Sequence, residues 1–245
     1  MPSWIQTDLI IVTCYGLQHS LLTTKTAVKI FNSIFPEYLW NIIYSAISVT
    51  TLVAGFHFWE SSGVYLFYLQ PGSLLFHLSV ITLAASLFFF FFCFKYTTSF
   101  WQWLGVKQVA TKLAGKKMPA YYRVRQNGIK RYIRFPHHLC LVILFWTHPV
   151  MTLDTLFLAV AATVYLYIGT YHQDLRGLRI IGPEWAAYRQ ETNLLFPAGK
   201  AFRRLFQDIR AARGDSEEVS PHDSSAVASI ETGGTDAKPS AKKFV

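Results

Sequence analysis

Residues 72–94, GSLLFHLSVITLAASLFFFFFCF, contain no charged side chain and close on five consecutive phenylalanines, Phe88 to Phe92. A helix needs about 20 apolar residues to cross the hydrocarbon core of a bilayer. This stretch therefore reads as a membrane span. Working outward from it, four further spans are expected: 4–21, with Gln18-His19-Ser20 near its end, then 39–58, a short 137–151, and 153–171. His148-Pro149 predicts a tight helical hairpin with a minimal turn between the last two. Inside a bilayer every backbone polar group must be satisfied within the protein, which favours helices. The expected fold class is all-α, a polytopic membrane helical bundle of about five transmembrane helices with amphipathic helices on the inner face.

Composition agrees. Of 245 residues, 52% are hydrophobic and 15% charged, against about 25% charged in soluble domains. That is too few charges for a polar skin. The net charge of +9 is accounted for by topology and not by nucleic-acid binding, because Lys and Arg collect in cytoplasmic loops. Lys25 and Lys29 fall between spans one and two. Ten basic residues, Lys95 to Arg134, fall between spans three and four, and eleven, Arg176 to Lys243, follow span five. The other two connections hold none. All 23 thus lie on one face if the N-terminus is outside and the C-terminus cytosolic. Met1-Pro-Ser-Trp-Ile has no basic n-region, so span one reads as retained and not as a cleaved signal. Cys14, Cys93 and Cys140 show neither metal-ligand nor disulfide spacing.

The inner segments are more than connections. Residues 98–134 interleave Phe100, Trp101, Trp103, Tyr121, Tyr122 and Tyr132 with cations, which suits an interfacial stretch in contact with membrane lipid. Residues 173–212 alternate apolar and basic positions and read as amphipathic helix. From Gly214 onward the chain is rich in Ser, Asp, Glu and Ala. The expected organisation is a membrane domain over 1–213 and a disordered polar tail over 214–245.

Three clusters carry candidate chemistry. Arg134-Phe135-Pro136-His137-His138 leads into span four, Tyr171-His172-Gln173-Asp174 follows span five, and Gly182-Pro183-Glu184-Trp185-Ala186-Ala187-Tyr188-Arg189 comes next. Each alone reads as membrane anchoring or a turn. A hairpin of spans four and five, however, returns Arg134 and Asp174 to one depth. A guanidinium suits a carboxylate, an acid suits ribose hydroxyls or an ammonium, and aromatic faces suit a sulfonium cation. Such a pocket fits a zwitterionic, nucleoside-like ligand. A separate reading takes His57 and His77, near the other ends of spans two and three, as a haem or metal pair.

Gly128-Ile129-Lys130-Arg131-Tyr132-Ile133-Arg134-Phe135-Pro136 resembles the Gly-Ile-Tyr-Arg-Tyr-Val-Arg-His-Pro motif of membrane methyltransferases related to isoprenylcysteine carboxyl methyltransferase. Trp146-Thr147-His148-Pro149-Val150-Met151-Thr152 resembles the hairpin of the methanethiol S-methyltransferase and NnrU-like branch, as do Gln18-His19-Ser20 and Leu104-Gly105-Val106-Lys107-Gln108. Gln173-Asp174 stands at that family's Glu-Glu, and Gly182, Trp185, Tyr188 and Pro197 follow its spacing. The resemblance implies S-adenosyl-L-methionine as cofactor and a small thiol, such as methanethiol, as methyl acceptor. It implies a cofactor site of Arg134, Pro136, His138, Gln173, Asp174, Trp185 and Tyr188, with Arg134 and Asp174 as the catalytic pair. It also suggests a bacterial inner membrane. The motif's His is Phe135 here, its later Tyr is His138 and its Gly is Cys140. Nurim, of the same superfamily, shares Gln173-Asp174-Leu175-Arg176, so a non-catalytic membrane protein is the alternative.

Overall fold

The computed structural model describes residues 2–95, 99–117, 124 and 126–213. The expected tail at 214–245 lies outside the described residues, as do Tyr121 and Tyr122 of the interfacial stretch. Contacts divide the chain into two units, 1–206 and 207–245, and the architecture below is that of the first. The protein is an all-α membrane protein. Its helices are α1 (Ser3–Leu22), α2 (Lys25–Ile34), α3 (Trp40–His57), α4 (Leu74–Cys93), the short α5 (Phe100–Trp103) and α6 (Val106–Leu113). They continue as α7 (Pro136–Trp146), α8 (Leu153–Ile181), α9 (Pro183–Glu191) and α10 (Gly199–Arg213).

Among the described residues, three helices are long and apolar enough to cross a membrane: α3 with its leading 3-10 turn (Glu37–His57), α4 and α8. Their side chains face outward, as with Ile81 at 63% and Phe88 at 64% exposure. In water that surface would be prohibitive, and in lipid it is the expected skin. α4 packs on α7, α7 on α8, α8 on α1, and α1 on α3. α8 is therefore the central post, with α7 on one side and α1 on the other.

Two expected boundaries are corrected. The fourth apolar stretch is helical only over Pro136–Trp146, 11 residues, and does not continue to 151. The connection to α8 is not a minimal turn. Val150–Thr152 forms a strand, β2, antiparallel to β1 (Tyr65–Tyr68), with Phe67 opposite Met151 and Tyr68 opposite Val150. Backbone groups near the end of the bundle are thereby paired across two connections. At the other end α8 does not stop near 171 but runs unbroken to Ile181. The Tyr171–Asp174 cluster is thus part of the same helix and does not follow its end.

Local signals set the helix ends. Ser73 Oγ accepts from Phe76 N–H to cap α4, and Thr24 Oγ1 accepts from Ala27 N–H to cap α2. Thr152 and Thr155 form a reciprocal capping box at α8. Pro136 opens α7, where its missing N–H costs nothing. Gly105 joins α5 to α6 at φ 90°. A Cβ there would collide with the backbone of Asn41 and Ile42, so glycine lets α6 dock against the start of α3.

At the β-ribbon end, buried carboxylates tie the loop after α3 to two helix starts. Asp8 Oδ1 accepts from Glu60 N–H at 3.1 Å. Asp154, 3% exposed, accepts from Ser62 N–H at 2.9 Å, Ser62 Oγ–H at 2.7 Å and Trp59 Nε1–H at 3.2 Å. It also sits in the first turn of α8, where the helix dipole favours an anion. Asp154→Ala strands all three donors and is expected to destabilise the protein by about 2 kcal/mol, read as a lower thermal midpoint in detergent. An unchanged midpoint would show that the loop is not held there. His57 and His77 are exposed. His57 lies on Phe58 and His77 bonds the Ser73 carbonyl, so each ring contacts its own neighbours.

Candidate functional site

The chain leading into α7 crosses the segment that follows α9. Ile133 forms a parallel bridge with Asn193. Asn193 N–H donates to Tyr132 O at 3.1 Å, Arg134 N–H to Asn193 O at 2.9 Å and Phe135 N–H to Leu194 O at 3.2 Å. This pairing fixes Arg134 between the end of α8 and α9.

Arg134 is 6% exposed and Asp174 1%. Arg134 Nε lies 3.0 Å from Asp174 Oδ1, an ion pair whose N–H is not aligned as a hydrogen bond. Its Nη1 donates to Thr192 O at 2.6 Å, Thr192 Oγ1 at 3.1 Å and Arg189 O at 3.3 Å. Arg189 Nε lies 2.8 Å from Asp174 Oδ2, and Trp185 Nε1–H donates to Asp174 Oδ1 at 3.0 Å. One buried carboxylate therefore joins two guanidinia and an indole. Burial draws the Arg134 guanidinium below its ordinary pKa, and the adjacent carboxylate opposes that shift.

Aromatic rings wall the cluster. Phe135, Trp185 and Tyr188 form the buried core, flanked by Val124, Leu178, Ile181 and Leu194. Phe135 meets Trp185 at a ring distance of 6.4 Å and Trp185 meets Tyr188 at 5.3 Å. The Tyr188 hydroxyl donates to Lys130 O at 2.7 Å, and burial raises its phenol pKa. Gly177 gives the indole its seat: a Cβ there would stand 2.5 Å from Trp185 Cε2.

No protein-family model matches the chain, and no solved structure matches it. Curated proteins do. A methanethiol S-methyltransferase of Pseudomonas deceptionensis is 24% identical over 197 residues, covering 80% of this chain and 74% of that protein. The Mycobacterium tuberculosis protein of that name is 22% identical over 198 residues, 78% and 77% of the two chains. Rat nurim is 27% identical over 180 residues, 70% and 68%. The chain is similar to proteins named methanethiol S-methyltransferase and to nurim. This is the branch that its motifs resemble, and it joins proteins named as enzymes to one that is not.

Of the residues the resemblance to that branch implies, the fold brings together Arg134, Asp174, Trp185 and Tyr188. Pro136 is buried beside them in sequence, at the first turn of α7. His138 is one ring further out, stacked on Phe135 at 5.9 Å and 7° and bonded through Nδ1 to Thr170 Oγ1 at 2.7 Å. Gln173 is exposed while Asp174 is buried, as expected for consecutive residues about 100° apart around a helix. Sequence reasoning missed the roles of Arg189, Thr192 and Gly177. Arg189 carried a signal, being the cation just past Tyr188 on a helix whose other landmarks were already in hand. Thr192 and Gly177 carried none, because their part depends on tertiary contact.

Proposed function

We propose that the chain is a membrane methyltransferase that uses S-adenosyl-L-methionine to methylate a small thiol, such as methanethiol to dimethyl sulfide. In this reading it spans a bacterial inner membrane five times: the three long apolar helices, α1, and α7 together with the extended segment through β2, since the 11 residues of α7 alone are too short to cross. Its N-terminus is outside and its basic end cytosolic. The observation that carries the reading is the buried Arg134–Asp174–Arg189 cluster under Trp185, held where the start of α7 meets the α8–α9 hinge.

The donor set fits a zwitterionic sulfonium ligand. Asp174 has both oxygens engaged, so its role is to orient the guanidinia. Arg189 has a side chain 31% exposed, and its Nη groups have no partner among the described residues, which leaves them able to take a ligand carboxylate. Gln173 is exposed beside Asp174 on α8, while Trp185 and Tyr188 are buried and hold the cluster in place. When bound, S-adenosyl-L-methionine supplies an electrophilic methyl group. The chain's own contribution is alignment and exclusion of water.

Calorimetry on detergent-purified protein tests this. Saturable binding of S-adenosyl-L-methionine is expected, with Arg189→Ala weakening it about tenfold, about 1.4 kcal/mol. Folded wild type that binds nothing up to millimolar cofactor would sink the proposal. That outcome would favour the second reading, a non-catalytic nurim-like protein, for which Asp174's full engagement and Phe135 in place of the motif's His are the observations.

A further inference from the structure

His138 stands where the resembling motif carries Tyr, and its surroundings define its chemistry. Thr170, on α8, is fully buried. Its hydroxyl donates to Leu166 O at 2.5 Å. A hydroxyl has one hydrogen, so toward the imidazole at 2.7 Å Thr170 Oγ1 can only accept. The hydrogen of that bond therefore belongs to His138 Nδ1. A neutral ring with Nδ1 protonated carries its lone pair on Nε2, and the half-buried ring leaves Nε2 without a hydrogen-bond partner among the described residues. Phe135 lies against the imidazole on one side and against Trp185 on another. The lone pair thus belongs to a ring one aromatic step from the Asp174 cluster, in the first turn of the α7 helix that packs on α8.

Resting on the proposed function, we infer that His138 is the proton acceptor for the thiol, poised by Thr170, and that it serves the acceptor side of the site and not the cofactor side. A thiol is a poor nucleophile until it loses its proton. The S–H bond breaks, its proton goes to His138 Nε2, and the electron pair stays on sulfur, ready to take a methyl group. The imidazolium then returns its proton to water. A Tyr at this position is already protonated at neutral pH and would not accept that proton, whereas a neutral imidazole can. The titratable group in ring contact with His138 is His137, 4.2 Å away between centroids.

Two measurements on the full chain in detergent test the inference. Nitrogen NMR of histidine-labelled protein, with the signal assigned by its loss in His138→Gln, should show Nδ1 protonated and Nε2 bare. Thr170→Val should disturb that state and Thr170→Ser preserve it. An Nε2-protonated ring in wild type overturns the proposal. In methanethiol methylation assays, His138→Gln should keep S-adenosyl-L-methionine binding and lower kcat about 100-fold at neutral pH. The deficit should shrink as pH approaches the thiol's own pKa, because the thiolate then forms unaided. A purely structural clamp between α7 and α8 would give a deficit independent of pH, which overturns the role. Turnover undiminished in His138→Gln also overturns it and leaves the methyltransferase reading standing. A folded wild type that neither binds cofactor nor turns over removes both.

Discussion

Asp174→Ala is expected to cost about 3–5 kcal/mol of stability, the range for breaking a buried ion pair by removing one partner. The reason is what it leaves behind. Arg134 has a side chain only 7% exposed and cannot lose its proton at any accessible pH, so it would remain a buried cation facing only neutral acceptors on Thr192 and Arg189. Arg189 would lose its partner at 2.8 Å, and the Trp185 indole N–H would lose its acceptor. At 31% exposure Arg189 can swing into solvent, so most of the cost resides at Arg134. Asp174→Asn, which keeps an acceptor for Trp185 but no charge, should fall between wild type and Asp174→Ala. Thermal unfolding in detergent, followed by tryptophan fluorescence, reads all three. An Asp174→Ala midpoint equal to wild type would mean that the cluster is not closed in the folded protein.

That cluster shows how far sequence carries. The membrane class was legible from residues 72–94 and from the confinement of every Lys and Arg to three segments, because lipid imposes both patterns through solvation alone. The meeting of Arg134 with Asp174 was legible from the hairpin expected of the fourth and fifth apolar stretches, and Trp185 as a site residue from the resemblance. The length of α8 was not. Gln173-Asp174-Leu175-Arg176 reads as the polar edge of a span, yet the helix continues because Asp174 is neutralised from outside it by two arginines and Arg176 reaches Thr23 O at 3.1 Å. The ribbon was not legible either. Tyr65–Tyr68 and Val150–Thr152 are each too short to signal a strand, and they pair across more than 80 residues of chain.

Gly177→Ala sets two effects of opposite sign against each other. Within a helix, glycine is worse than alanine by about 0.5–1 kcal/mol, so propensity alone predicts that the substitution stabilises α8. Packing predicts the reverse. The added methyl would lie 2.5 Å from Trp185 Cε2, 2.8 Å from Cζ2 and 2.9 Å from Nε1. The indole is a rigid plane, 5% exposed, in contact with Phe135 and Tyr188 and bonded to Asp174. It cannot yield by a rotamer change without losing that bond, so α9 must shift or the ring must tip. Overpacking of this kind costs about 1–3 kcal/mol, and the stranded indole N–H adds about 1 kcal/mol or more. The net expectation is about 2 kcal/mol of destabilisation, with a changed near-UV dichroism from Trp185 and, under the proposed function, weaker binding of S-adenosyl-L-methionine, because Arg189 travels with α9. Trp185→Phe in the Gly177→Ala background removes the atoms that collide and should recover part of the loss, although the bond to Asp174 is gone. A Gly177→Ala protein more stable than wild type would mean that helix propensity wins and that the indole is not seated against α8.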